Sequence, residues 1–245
     1  MQSITRKLFL TLVAVCVMSV VGTATASAYT NPILENAKGE HASKVKFTGK
    51  SMAKTAPVPI TDRFTGQYAC ERGETGTGEL STTGTGSAAS TSGTATLVFK
   101  GCGGLRTGST GGEFEMKVAL SLVWLGKESE ERAGFLVAIP PESKKPGNGE
   151  GGKLKYTDLG EPSELEGGFV ASGHERLGET FTADTLIANR TEIQQALTKY
   201  TEEGKEQESI LWSRAQSLDK EPFEKAATSL EEEETLAETV KIVKS

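Results

Sequence analysis

After residue 28 no apolar run approaches the roughly 20 residues that span a bilayer, so the rest of the chain is expected to be water-soluble. Aromatic residues make up only 6% and hydrophobic residues 36% of the sequence, which predicts a thin core in which a covalent crosslink matters. Basic residues are outnumbered, 27 Lys and Arg against 33 Asp and Glu. That balance disfavours nucleic acid, whose phosphates need a concentrated cationic surface. No Gly-x-Ser-x-Gly pentad occurs, which removes hydrolases of the nucleophile-elbow type. Histidine occurs only at His41 and His174, and no His/Cys pair has zinc-ligand spacing. Asp158, Asp184 and the Glu231 to Glu234 run could offer oxygens to calcium, but no Asp-x-Asp-x-Asp-Gly loop holds them together. No metal and no cofactor are therefore expected.

The N-terminus carries Arg6 and Lys7, then an apolar run from Leu8 to Val21, then small residues ending at Ala26-Ser27-Ala28. This is the layout of a secretory signal peptide, residues 1–28, cleaved after Ala28. Cys16 lies inside the apolar run and follows Val15, where a lipid-attachment site wants a small residue. Cleavage would leave 217 residues (245 minus 28) and move the formal net charge from -6 to -8, because two basic and no acidic residues leave. It would also leave two cysteines, Cys70 and Cys102, which in an exported protein are expected to pair with each other.

Residues 29–42 are polar and aperiodic and read as a flexible leader. A disulfide-linked β region is expected over 43–140, a linker or long loop over 141–152 ("PESKKPGNGEGG") and a second β region over 153–245 with an acidic C-terminal part. Period-two alternation marks strands at Lys44 to Thr48 and Thr94 to Lys100. "KVALSLVWLG" and "FLVAIPP", joined by a charged turn, predict a central antiparallel hairpin across Lys117 to Pro140. Weaker strands are expected at Lys153 to Thr157, Gly168 to Ser172, Thr180 to Ile187, Ser209 to Arg214 and Thr239 to Lys244. Phe223, Ala226, Ala227 and Leu230 fit a helical stripe with Pro222 in its first turn, so residues 219–238 are open to either helix or strand, the helix falling near Pro222 to Leu230. The fold class is mainly β, an antiparallel sandwich or barrel-like sheet.

Between the cysteines lie "GTGEL" at Gly76 to Leu80 and "ATLVFKGC" at Ala95 to Cys102. With "TKYTEEGKEQESILWSRAQ" and "KEPFEKAA" further on, they resemble a family of uncharacterised exported bacterial β-rich proteins with a Cys…Gly-Glu…Phe-x-Gly-Cys segment. The resemblance implies a secreted, mostly β protein and transfers no functional residue; further central cysteines expected of that family are missing here. Chemically, the Gly/Ser/Thr-rich stretch itself reads as a poorly apolar hairpin with arms near Tyr68 and Phe99, pinned by the Cys70–Cys102 bridge.

Trp124 sits in the most apolar strand and reads as core, whereas Trp212, between Leu211 and Ser213, is the candidate binding aromatic. His174, in "ASGHERLGE", reads as a surface residue rather than a triad member. The "LEEEET" run reads as solvated surface. Asn189-Arg190-Thr191 matches a glycosylation sequon without further context. The reading this supports is a secreted, non-enzymatic extracellular or cell-envelope β protein that presents a binding surface, with an envelope component or polysaccharide as partner. The alternative is a secreted hydrolase acting on polysaccharide or peptide.

Overall fold

A computed structural model describes residues 29–52, 57–62, 66–104, 112–139, 153–158, 161–173, 176–191, 194–215 and 223–245. The described residues form seventeen strands: β1 (Pro32–Asn36), β2 (Val45–Ser51), β3 (Val58–Asp62), β4 (Gly66–Ala69), β5 (Arg72–Thr83), β6 (Ser90–Gly104), β7 (Gly112–Trp124), β8 (Ala133–Ala138), β9 (Lys153–Asp158), β10 (Glu161–Ser172), β11 (Thr180–Ala188), β12 (Arg190–Thr191), β13 (Gln194–Gln195), β14 (Lys199–Glu202), β15 (Lys205–Glu208), β16 (Leu211–Ala215) and β17 (Glu224–Lys244). No membrane-spanning helix occurs among the described residues.

Eight strands close on themselves in the order β2-β5-β6-β7-β8-β10-β11-β17 and back to β2, every neighbour antiparallel. Apart from short excursions, this is chain order: an up-and-down barrel whose closure removes the exposed edges of its ring. Alternation fills the ring with apolar side chains. β2 turns Val45 and Phe47 inward and leaves Lys46, Thr48 and Lys50 in solvent. In β7, Phe114, Met116, Val118 and Leu120 are buried while Glu113, Glu115 and Lys117 are exposed. Lipid-facing barrels show the opposite alternation, apolar outward.

Strands from both sides of residues 141–152 build this one barrel, with β2, β5, β6, β7 and β8 before it and β10, β11 and β17 after it. The 141–152 segment itself lies outside the described residues. The expected Lys117 to Pro140 hairpin is β7–β8, paired from Ala119↔Ala138 to Trp124↔Ala133. Both of its faces are covered near Trp124, because Val123, Leu125, Val170 and Tyr200 make a second small core on the outside of the wall.

One open sequence reading is resolved and one expectation is corrected. Of the two readings near Pro222 to Leu230, the helical one is not taken: from Glu224 onward the chain is β17. Ala226, Ala227 and Thr228 are all buried in a strand that pairs with β16 and β3, and burial on both faces imitates a helical stripe in a short window. The leader over 29–42 is also structured, since β1 pairs with the end of β17 from Pro32↔Lys244 to Asn36↔Val240. Ile33 and Leu34 are buried, and β1 is tied to the β5–β6 hairpin: the Leu34 amide donates to Thr91 Oγ1 at 2.8 Å, and Thr82 Oγ1 donates to the Leu34 carbonyl at 2.7 Å. The Trp124 indole donates to the Thr30 carbonyl at 2.7 Å, which anchors the start of this segment on β7.

The disulfide Cys70–Cys102 is present. The β5–β6 register runs from Arg72↔Lys100 to Thr83↔Ser90, and the bridge stands at the open base of that hairpin. The hairpin's tip, around Gly86–Ala88, is exposed. Just below it Thr82 and Thr91 are buried and hydrogen-bonded to each other at 2.7 Å, so part of the Ser/Thr content is a grip on β1.

Candidate functional site

The barrel interior retains an apolar cavity of about 40 Å³. Its wall is drawn from β1, β2, β5, β7, β8, β11 and β17, with Leu80, Leu120 and Phe135 on one side and Phe181, Leu186 and Leu236 on the other. Leu34 of β1 and Phe47 of β2 complete the apolar lining. Two carboxylates also line it. Asp184 and Glu234 are directly opposed across the β11–β17 ladder, and both belong to the inward-facing phase of their strands.

Glycine gives these large inward groups their room. Gly49 is the β2 partner of Glu234, and a Cβ there would lie 2.5 Å from the carboxylate. Gly78 is the β5 partner of Phe47, and a Cβ there would fall within the Phe47 ring. The Glu231 to Glu234 run is thus not simply solvated surface: Glu232 and Glu234 are buried and Glu233 is exposed, as strand alternation requires. Residue content gave no sign of this, because a run of four identical residues has no period of its own.

A second concavity, open and about 510 Å³, lies on the outer side of the same wall. Its lining exposes more apolar than polar surface, with Phe47, Leu236 and Ala237 beside the threonines Thr48, Thr77, Thr94 and Thr235 and the charges of Lys46 and Glu79. Phe47 and Leu236 line both spaces, so the partition between interior and exterior passes through these two residues. Sequence reading missed both: each looks like an ordinary core residue until the register places them opposite one another.

Of the residues singled out from sequence, Asp184 and Glu234 line the interior cavity and the others fall elsewhere. Trp212 is half-buried on β16, with Glu166 of β10 and Lys225 of β17 as its register partners. On the same face Arg214 donates to Glu164 at 2.8 Å and stacks 4.6 Å above the Phe223 ring. The exposed large hydrophobics among the described residues are Tyr29 and Met52. His41 is exposed and bridges to Glu35, while His174 lies outside the described residues. Asp158 is on β9 and Asp184 in the barrel, so those two calcium candidates occupy different strands. No group of three or more His, Cys, Asp or Glu suited to a metal occurs among the described residues.

Four shifted groups lie on the β14–β15 hairpin. The Glu202 carboxyl is raised above its usual range, by burial first and the Glu203 charge second. Burial likewise raises the Tyr200 hydroxyl, with Glu202 adding to it. Lys199 is raised and Glu206 lowered by their mutual hydrogen bond of 2.9 Å, an exposed pair of small energetic weight. None of these groups lines the interior cavity.

No family model, no curated protein and no solved structure matches the chain. The geometry alone therefore carries the functional reading: a small apolar cavity within the barrel, a wall formed there by Phe47 and Leu236, and an open groove that the same two residues line from outside.

Proposed function

We propose that this is an exported, non-enzymatic β-barrel binding protein, of the β-rich family that its Cys…Gly-Glu…Phe-x-Gly-Cys segment resembles. Its site is the interior cavity bounded by Leu80, Leu120, Phe135 and Leu186. One observation carries the reading: the ring of eight strands holds an apolar cavity that the protein's own side chains leave incompletely filled. Close-packed interiors leave few voids larger than a water, and unfilled apolar space favours an apolar group over water. Eight strands give an interior just wide enough to be filled by side chains or to hold one small ligand. A flat polysaccharide platform gains less support, since Trp212 is half-buried between charged partners. Export is supported by the signal-like N-terminus and by the Cys70–Cys102 disulfide, which persists in oxidising compartments.

The test is titration of the purified protein with xenon, following the methyl resonances of Leu80, Leu120 and Leu186. Saturable shifts at these methyls, abolished by the space-filling Leu120→Phe variant, are expected. Resolved methyls that stay unmoved at probe saturation overturn the interior site.

A further inference from the structure

A third concavity, about 170 Å³, lies in the C-terminal half of the chain, where the β12–β13 and β14–β15 hairpins and the start of β16 meet the first residues of β17. It shares no described lining residue with the interior cavity. We propose that it binds a free aliphatic α-amino acid, of the scale of valine or leucine, as the zwitterion. The ligand's carboxylate would meet Lys225, its ammonium Glu208, and its side chain Leu211 and Ala226.

Size limits the occupant first. The space lies below the roughly 300–1,000 Å³ of sites for drug-sized ligands and equals the liquid volume of about six waters, on the order of 30 Å³ each. That admits one small molecule and no longer chain. The walls are also fixed in advance. Gln195 is buried; its Nε2 donates to the Asn189 carbonyl at 2.7 Å and the Thr228 carbonyl at 3.2 Å, and its Oε1 accepts from the Thr228 amide at 3.0 Å. β16 is held to β17 by the Leu211↔Ala226 and Trp212↔Lys225 pairs, and the Ser209 amide donates to the Thr198 carbonyl at 2.8 Å. A frame ordered before the ligand arrives lowers the cost of binding.

The lining then selects the chemistry. Polar and apolar surface are exposed in nearly equal measure, with the buried Leu211 and Ala226 as the apolar part. Glu208 and Lys225 are exposed, opposite in charge, and form no ion pair among the described residues. Lys199, the register partner of Glu208, is hydrogen-bonded to Glu206 instead, and Glu208 acts on it only through space. A phosphate, a simple carboxylate or a simple amine would satisfy one of the two charges and be repelled by the other. An amino acid carries both signs beside an apolar group. Exposed ion pairs are individually weak and screened by salt. Binding therefore needs both poles and the apolar surface together, and its strength should fall as salt rises.

The experiment is titration of the purified protein with L-leucine at low ionic strength, followed by the backbone amide resonances of Gln194, Thr198 and Ile210. Saturable shifts are expected, and their absence overturns the site. Leucinamide, which lacks the carboxylate, N-acetyl-leucine, which lacks the ammonium, and glycine, which lacks the side chain, should each bind at least tenfold more weakly. Equal binding of leucine and its two blocked forms overturns the zwitterion, and equal binding of glycine overturns the apolar contact. Lys225→Met should weaken leucine at least tenfold without further weakening leucinamide, and Glu208→Gln should do the same for leucine but not for N-acetyl-leucine. Leucine affinity unchanged in both variants overturns the assignment of the poles. Should either variant fail to fold, the ligand analogues carry the test on the parent protein. Xenon shifts at Leu80, Leu120 and Leu186 report the interior cavity separately, so either site can fail without the other.

Discussion

At the scale of single residues, the informative positions are those where a small residue makes room for a large one. Gly78 lies beneath the Phe47 ring, so Gly78→Ala forces the ring or the β2–β5 pairing to shift. Overpacking of this kind costs about 1–3 kcal/mol. We expect that loss in urea unfolding, and partial recovery in a Phe47→Ala background, since the clash requires both groups. An additive double variant would show that the close approach is not what Gly78 provides. Glu202 supplies a second expectation, through pH. Burial and Glu203 raise its carboxyl in the folded protein, so the native state holds this proton more tightly than the unfolded chain does. Its protonation therefore adds stability that is fully present below the ordinary glutamate value and is lost as pH rises through the raised folded value. Glu202→Gln should melt higher than the parent at about pH 7, and the difference should shrink as pH approaches about 4. A melting difference independent of pH would assign the effect to packing rather than to the charge.

At the scale of elements, the β5–β6 hairpin shows how a segment with little apolar surface is kept in a sheet. The Cys70–Cys102 bridge closes 33 residues (102 minus 70, plus one) at the hairpin's base, and Thr82 and Thr91 hold β1 near its tip. In the chain-entropy view a loop of this length contributes roughly 3–4 kcal/mol. Cys70→Ser/Cys102→Ser should lose about that much in denaturant unfolding. A loss under about 1 kcal/mol would mean the ladder alone holds the hairpin. β1 is the complementary case, a short strand that contributes Leu34 to the cavity wall and backbone groups to the hairpin. Leu34→Ala should cost about 2–5 kcal/mol, as for a fully buried leucine. A loose leader at that position would predict no measurable change.

For the whole molecule, β17 is the organising element. Along its 21 residues it pairs in turn with β16, β3, β11, β2 and β1. Strands from both halves of the chain therefore share one barrel and one core cluster, which includes Phe99 and Trp124 from the first half and Phe169, Leu211 and Ile242 from the second. Unfolding should then be a single transition. The single-tryptophan variants Trp124→Phe and Trp212→Phe, each reporting by fluorescence from the tryptophan that remains, should give the same urea midpoint as far-ultraviolet circular dichroism. Two separated midpoints would show that the halves fold as independent domains.

Composition and period were enough to read the fold class, most of the strands and the pairing of the cysteines. Alternation is a local property, and once Cys16 is set aside with the expected signal segment, Cys70 and Cys102 have a single partner choice. The buried acids, the role of β1 and the Phe47–Leu236 partition could not be read in this way. Which face of "LEEEET" turns inward depends on the register with β11 and β2, and register depends on where the barrel closes. Likewise, the burial of Ala226 to Thr228 on both faces comes from strands distant in sequence, which is why a strand spine looked like a helix. Local sequence carries the period of a strand; only closure of the ring fixes what stands opposite each residue, and the candidate site is made of such opposed pairs.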